Sequence, residues 1–292
     1  MTSQREPEIL LEFVKARKEF VLDDGLINRL TGKRRLLRAL DDVSLTVRRG
    51  EIVGLVGESG SGKSTLAQAA VRLLTVDEGY VNYRGENLAS ARGGALKDFR
   101  RSVQMVFQDT GSSLNPRKTV GRALDESLAL RGLARARRAE RSNELLNLVG
   151  LEGALRQRYP HQLSGGQRQR VAIARCLALE PEFLVADEPV ASLDVSLQSQ
   201  IIRLLLKLRN ELGLTLLFIS HDLALVSHIS TRVAVMHAGR IVEEGPPETV
   251  LRSPSDPYTR ALLAAIPKGI KGRRARRESA LLSASAHKEA AE

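Results

Sequence analysis

The stretch EIVGLVGESGSGKSTLAQAAVRLL, residues 51–74, decides the fold. It opens with an apolar, β-prone run, passes through a glycine-rich segment, and continues as STLAQAAVRLL with helical periodicity. The order strand, loop, helix is the context in which G-x-x-x-x-G-K-[ST], here GESGSGKST at residues 57–65, acquires chemical meaning. Gly57, Gly60 and Gly62 let the backbone curl so that successive N–H groups face phosphate oxygens. Ser59, Ser61 and Thr65 complete the cradle. The helix beginning near Lys63 adds the positive end of its dipole. Lys63 is positioned to neutralise β- and γ-phosphates, and the Ser64 hydroxyl to ligate Mg²⁺. The alternative, a flexible glycine turn that binds nothing, does not account for the strand and helix on either side.

A metal ion holding two phosphates needs a carboxylate, and hydrolysis needs a second group to orient the attacking water. The apolar run FLVAD, residues 183–187, ends on Asp187 and is followed by Glu188. Asp187 is read as the metal-side carboxylate and Glu188 as the candidate general base. Without the upstream loop, two adjacent acids at a strand end would read as a helix cap.

Outward from these segments the chain alternates. Residues 9–20 and 43–47 read as strands around a polar insertion, residues 23–38, taken as a loop. Residues 119–155, rich in Leu, Ala, Arg and Glu, form a mainly helical subdomain with Gly132, Gly150 and Gly153 as helix ends. Its arginine run at residues 131–141 reads as a solvated helix face. A helix follows at 166–179, then FLVAD, a helix at 197–212, and a second buried strand, LTLLFIS, at 214–220. Strands alternating with helices imply an α/β fold with a parallel sheet. From Pro246 the chain turns proline-rich and then basic, and residues 268–292 read as a disordered tail with a secondary possibility of membrane-surface attraction.

The 292 residues are 42% hydrophobic, enough for a sizeable core, while aromatics supply 3% and Trp is absent. A formal charge of +11 suits nucleic acid, nucleotide phosphates or an anionic membrane face. Scarce aromatics for base stacking and scattered basic residues argue against nucleic acid, so none is expected as a partner. Cys176 is the single cysteine, which excludes an intrachain disulfide and a cysteine-based metal site, and it reads as a buried small hydrophobe. The start, MTSQREPEIL, lacks the apolar core of a signal peptide, and no apolar run reaches the length of a membrane span. A cytoplasmic chain, linked to a membrane only through partners, is expected.

LSGGQ at residues 163–167, followed by RQRVAIARCL, resembles the signature of ABC ATPases. Physically, Ser164 with the Gly165 and Gly166 amides, beside Gln167, forms a second phosphate-binding nest ahead of a helix N-terminus. The resemblance implies a RecA-like P-loop NTPase core with a parallel sheet, an N-terminal β subdomain and a helical signature subdomain. It also implies two subunits meeting head to tail, the phosphate loop of one and the signature of the other enclosing the same ATP. Other motifs follow in the family's order. Gln108 in VFQD resembles the residue that contacts Mg²⁺ and the attacking water. Asp194, in the SLD segment, resembles the aspartate that communicates between the two sites. His221 in ISHD resembles the switch histidine that contacts the γ-phosphate and helps position the water. Adenine needs an aromatic face. Phe20 is the candidate for stacking, with Phe13 its rival and a core role open for either.

Within that family the chain looks most like the ATP-binding subunits of dipeptide and oligopeptide importers. VFQDTGSSLNPRKTVG at 106–121, DEPVASLDVSLQSQI at 187–201 and SPSDPYTRALLAAIP at 253–267 carry this match. The last resembles that group's C-terminal extension. Residues 1–267 then form the ATPase domain, with a helical subdomain at about 109–170 and the extension at about 246–267. Some relatives hold an iron–sulfur centre on cysteines of the extension; a single Cys176 excludes it here. The implied partners are a second, non-identical ATPase subunit, two transmembrane permease subunits and an extracytoplasmic solute-binding protein. The implied cofactors are ATP and Mg²⁺, and the implied location is the cytoplasmic face of the inner membrane. The transported solute is not readable, because specificity lies in the partners that touch it.

Two other readings are open. A soluble ABC ATPase acting on DNA or the ribosome fits the basic charge, but the segment between Lys63 and Asp187 is too short for a long coiled coil, and there is no second cassette. A regulatory subunit that binds ATP without using it sits poorly with intact Gln108, Glu188 and His221.

Overall fold

The computed structural model describes residues 8–22, 35–108 and 114–265. Two long strands, β1 (Ile9–Leu22) and β2 (Arg35–Arg48), pair antiparallel, with Phe13 opposite Leu45 and Phe20 opposite Leu37. With β4 (Glu78–Tyr83) and β5 (Glu86–Asn87) they make a four-stranded sheet in the order β2-β1-β4-β5. The central sheet has six strands: β3 (Ile52–Val56), β6 (Val103–Val106), β7 (Phe183–Asp187), β8 (Thr215–Ile219), β9 (Arg232–His237) and β10 (Arg240–Gly245). Their order is β10-β9-β3-β8-β7-β6. All neighbours are parallel except β10, which returns antiparallel to β9.

The central strands are buried on both faces, and the period of two divides their side chains between two cores. Val53, Leu55, Phe183, Val185, Leu217 and Ile219 point to one side, against Leu66 and Ala67 of α1 (Lys63–Ala70), Phe99 of α2 (Gly93–Ser102) and the inner face of the four-stranded sheet. Ile52, Val56, Leu184, Ala186, Leu216 and Phe218 point to the other. There they meet α3 (Val120–Arg131), α4 (Arg135–Leu148), α5 (Gly165–Leu177), α6 (Val195–Leu212) and α7 (Leu223–Ile229). Each large aliphatic side chain so buried contributes roughly 1.5–3 kcal/mol. Two short helices, α8 (Pro247–Arg252) and α9 (Pro257–Ala264), close the described chain.

Several boundaries differ from the sequence reading. The region read as a loop at residues 23–38 contributes its last residues to β2, which starts at Arg35; Leu36 and Leu37 are half exposed there and are held by pairing rather than by packing. Residues 23–34 lie outside the described residues, as does the tail at 268–292. The helix expected to run to Leu74 stops at Ala70, because Arg72 takes a left-handed φ of 54°. The helix expected at 166–179 begins at Gly165 and ends at Leu177, and the one expected at 197 begins at Val195, where the Asp194 carboxylate caps it. The strands β4, β6, β9 and β10 were not foreseen.

This strand order positions the site. Adjacent parallel strands β3, β8, β7 and β6 all end at the same edge of the sheet. In open α/β sheets ligands sit beyond the carboxyl ends of the strands. The segments that follow those four strands carry the phosphate loop, His221, Glu188 and Gln108.

Candidate functional site

The phosphate loop leaves β3 and enters α1 with Gly62, at φ 109°, as the cap. Gly57 (φ 152°) and Gly62 are required by space as well as conformation. A Cβ on Gly57 would lie 2.1 Å from the Met236 carbonyl oxygen, and one on Gly62 would lie 2.2 Å from that of Ala39. The loop is therefore clasped between the end of β9 and β2. The Ser61 carbonyl accepts the Gly239 N–H at 2.9 Å, securing the loop to the β9–β10 turn. Ser61 is buried, whereas Ser59, Gly60 and Ser64 are exposed at the mouth.

Lys63 is buried, and its Nζ donates to the carbonyls of Gly57 (2.9 Å) and Glu58 (2.6 Å) and to Ser61 Oγ (3.3 Å). Burial lowers its pKa below the ordinary lysine value, opposed by the charges of Glu188, Asp187 and Glu58. Asp187 ends β7 and is also buried. Desolvation pushes its carboxyl above the usual range, opposed by a hydrogen bond from Ser64 and by Lys63 and reinforced by Glu188. A carboxylate and a hydroxyl side by side, short of charge compensation, are a hard-oxygen pair that fits Mg²⁺.

Glu188 holds φ at 46°, a left-handed conformation that a non-glycine residue rarely adopts, and its N–H donates to the Ile219 carbonyl at 3.0 Å. That turn aims its carboxylate across the sheet edge. Glu188 Oε2 accepts from Gln108 Nε2 at 3.1 Å and lies 3.3 Å from His221 Nδ1. Gln108 and His221, from the ends of β6 and β8, thus converge on one oxygen of Glu188 at the end of β7. Strain of this kind clusters where geometry serves chemistry.

The signature segment forms a reciprocal cap at the start of α5. Ser164 Oγ accepts the Gln167 N–H at 3.2 Å, and Gln167 Oε1 accepts the Ser164 N–H at 3.0 Å. Cβ atoms on Gly165 and Gly166 would meet Leu193 (3.3 Å) and Leu197 (3.0 Å), so the signature packs against the segment carrying Asp194. Asp194 Oδ1 accepts the Leu197 N–H at 2.9 Å. Thr65 lies within the first turn of α1.

Of the two aromatic candidates, Phe13 is 1% exposed and lies in the core, and Phe20 is 39% exposed with Lys18 Nζ 5.7 Å from its ring centroid. One neighbour of the loop was not anticipated. The Tyr258 hydroxyl, from α9, accepts the Glu58 N–H at 3.1 Å across 200 positions of sequence. No local pattern signals such a contact. No helix among the described residues is long and apolar enough to cross a membrane.

Several known proteins are similar to this chain. Residues 40–191 match the family model described as ABC transporter. A protein of Brucella abortus (strain 2308), provisionally named a peptide import ATP-binding protein, is 52% identical over 87% of this chain and 77% of its own length. The oligopeptide transport ATP-binding protein OppF of Streptococcus mutans is 47% identical over 81% of this chain and 78% of its own. Among solved structures, the ATP-binding cassette MJ0796, in a dimeric post-hydrolysis state bound to ADP and Pi, superposes with a TM-score of 0.70. It is 29% identical and covers 82% of this chain and 99% of its own.

Proposed function

The chain belongs to the ABC transporter family, and from that premise we propose that it is the ATP-binding and hydrolysing subunit of an importer for peptides or similar small solutes. The observation that carries the reading is the convergence of Gln108 and His221 on the Glu188 carboxylate beside the loop of Lys63. The peptide branch is supported by relatives named for peptide and oligopeptide import. Those names do not favour the alternative of an ATPase acting on DNA or the ribosome.

In this reading the loop amides and Lys63 bind the ATP phosphates, Phe20 lies against the adenine, and Glu188 orients and deprotonates the attacking water. Gln108 and His221 fix the carboxylate and the water between them. Ser64 and Asp187 would hold Mg²⁺, with Gln108 nearby; the ion neutralises phosphate charge when bound. Ser164, Gly165, Gly166 and Gln167 serve the ATP of a second ATPase subunit, and Asp194 links the two sites. The solved dimer of a similar cassette supports pairing of this kind. ATP shifts the assembly only by its differential affinity for the closed pair, and about 5.5 kcal/mol takes an equilibrium from 1:99 to 99:1.

Residues 1–267 are read as the ATPase unit, with the helical part at about 109–170 and the extension at about 246–267. Two permease subunits and a solute-binding protein complete the assembly, which places this chain at the cytoplasmic face of the membrane. The test is purification with the permease and second ATPase, followed by ATPase and solute-uptake assays in vesicles. Peptide-stimulated, Mg²⁺-dependent hydrolysis is expected; an assembly that binds ATP without turnover would overturn the reading.

A further inference from the structure

The amide joining Gly57 to Glu58 is gripped at both ends. Its N–H donates to the Tyr258 hydroxyl at 3.1 Å, and its carbonyl, Gly57 O, accepts from Lys63 Nζ at 2.9 Å. A continuous hydrogen-bonded path therefore runs from the C-terminal extension, through one peptide unit, to the lysine of the phosphate loop. Bonds in series polarise one another, so the strength of each end depends on the other.

Tyr258 is itself held on three sides. Its ring stacks on the His237 imidazole, with centroids 3.8 Å apart and planes at 27°. Its backbone N–H donates to Asp256 Oδ1 at 2.8 Å, which caps α9. The turn before it is pinned to β10, where Glu243 Oε1 accepts from Ser255 N (2.7 Å) and Ser255 Oγ (2.9 Å). His237 directly follows Met236, whose carbonyl limits Gly57. The loop thus rests against β9 on one side and is tethered by the tyrosine at its first exposed residue, Glu58. Burial raises the phenol's pKa above its ordinary value.

Lys63 must exchange the Gly57 and Glu58 carbonyls for phosphate oxygens when nucleotide enters. That exchange releases the very peptide unit that Tyr258 holds. We propose that Tyr258 is a positioning residue for ATP, fixing the Gly57–Glu58 amide so that the loop keeps its shape as Lys63 changes partners. The C-terminal extension thereby sets the nucleotide affinity of the loop. This rests on the ATP-hydrolysing reading above and adds to it a residue outside every nucleotide motif.

Tyr258→Phe removes the hydroxyl and leaves the ring stack, and the exposed Glu58 N–H can turn to water. A net hydrogen bond of this kind corresponds to about two- to tenfold in an equilibrium constant. In the full chain assembled with its partners, the KM for ATP is expected to rise by that factor with kcat within about twofold. The Kd of the full chain for a fluorescent ATP analogue, which needs no turnover, should rise in parallel, with the nucleotide-free melting temperature close to wild type. Tyr258→Ala, which also loses the stack, should weaken binding further and lower the melting temperature. An unchanged Kd in Tyr258→Phe overturns the proposal. So does a melting temperature that falls as far in Tyr258→Phe as in Tyr258→Ala, since the tyrosine would then be structural only. Failure of the wild-type assembly to turn over ATP would instead sink the ATPase reading, and the analogue Kd would still read the role of Tyr258 in binding.

Discussion

Glu188 Oε2 accepts a hydrogen bond from Gln108 Nε2 at 3.1 Å, although 80 positions of sequence separate the two residues. The contact exists because β6 and β7 are parallel neighbours whose carboxyl ends coincide. It gives the acid a neutral donor that fixes its orientation without quenching its charge, as a cation would. Any displacement of the segment after β6 therefore acts directly on the proposed base.

Replacement of Glu188 by Gln preserves the shape and both neighbours but removes the charge. Hydrolysis should fall by roughly 10²–10⁴-fold, with ATP binding retained and the closed pair accumulating. Single-turnover kinetics with size-exclusion of the ATP-bound sample would show this. Near-normal turnover would remove Glu188 as the base.

Asp187 carries a pH signature. Its folded-state pKa is raised by burial, so the folded chain binds this proton more readily than the unfolded chain. Its contribution to stability is greatest at low pH and declines as pH rises through the folded pKa. Asp187→Asn should therefore raise the melting temperature of the nucleotide-free chain at neutral pH, with the difference from wild type shrinking towards acid. The same variant should lose the protection that ATP gains from Mg²⁺. Thermal scans across pH, with and without the metal, check both parts; a neutral-pH melting temperature below wild type would contradict the sign.

The structure of this chain was unevenly legible in its residues. β3, β7 and β8 announce themselves because parallel strands buried on both faces are continuous apolar runs. β6 and β9 are buried over most of their length, but VQMV is too short and RVAVMH too mixed to stand out from a helix turn. The outer part of β2 was missed for a different reason: Leu36 and Leu37 face solvent, and only pairing with β1 shapes them. The site was legible as motifs in order, from Lys63 to His221. Their convergence on Glu188 follows from strand order, which no single segment encodes. Tyr258 was illegible because its role depends on where α9 docks, far along the chain from Glu58.

Ser164 should separate folding from assembly. Ser164→Ala removes half of the reciprocal cap of α5, at a cost of about 0.5–2 kcal/mol, visible as a modest shift in urea unfolding. ATP binding by the isolated chain should be unaffected, because its own loop is intact, while ATP-dependent pairing should be lost. Retained pairing would remove Ser164 from the interface.

Gly57→Ala is expected to be far more damaging than its size suggests. The added methyl would lie 2.1 Å from the Met236 carbonyl at a backbone angle that disfavours any side chain. Strain alone costs of order 1–3 kcal/mol. Reduced thermal stability together with loss of nucleotide binding is the outcome to look for, and near-normal binding would contradict it.

Cys176 sits at the inner end of α5 with its sulfur 3.5 Å from the Met105 carbonyl, and burial pushes its thiol up to about 11. A maleimide or disulfide reagent at neutral pH thus meets a molecule with no reactive sulfur in its folded form. A cysteine introduced on the surface, for instance Val195→Cys beside Asp194, becomes the sole attachment point for a spin label or dye. With a second probe attached to the partner ATPase, the opening and closing of the paired subunits can then be followed as a distance, with the native thiol left in place.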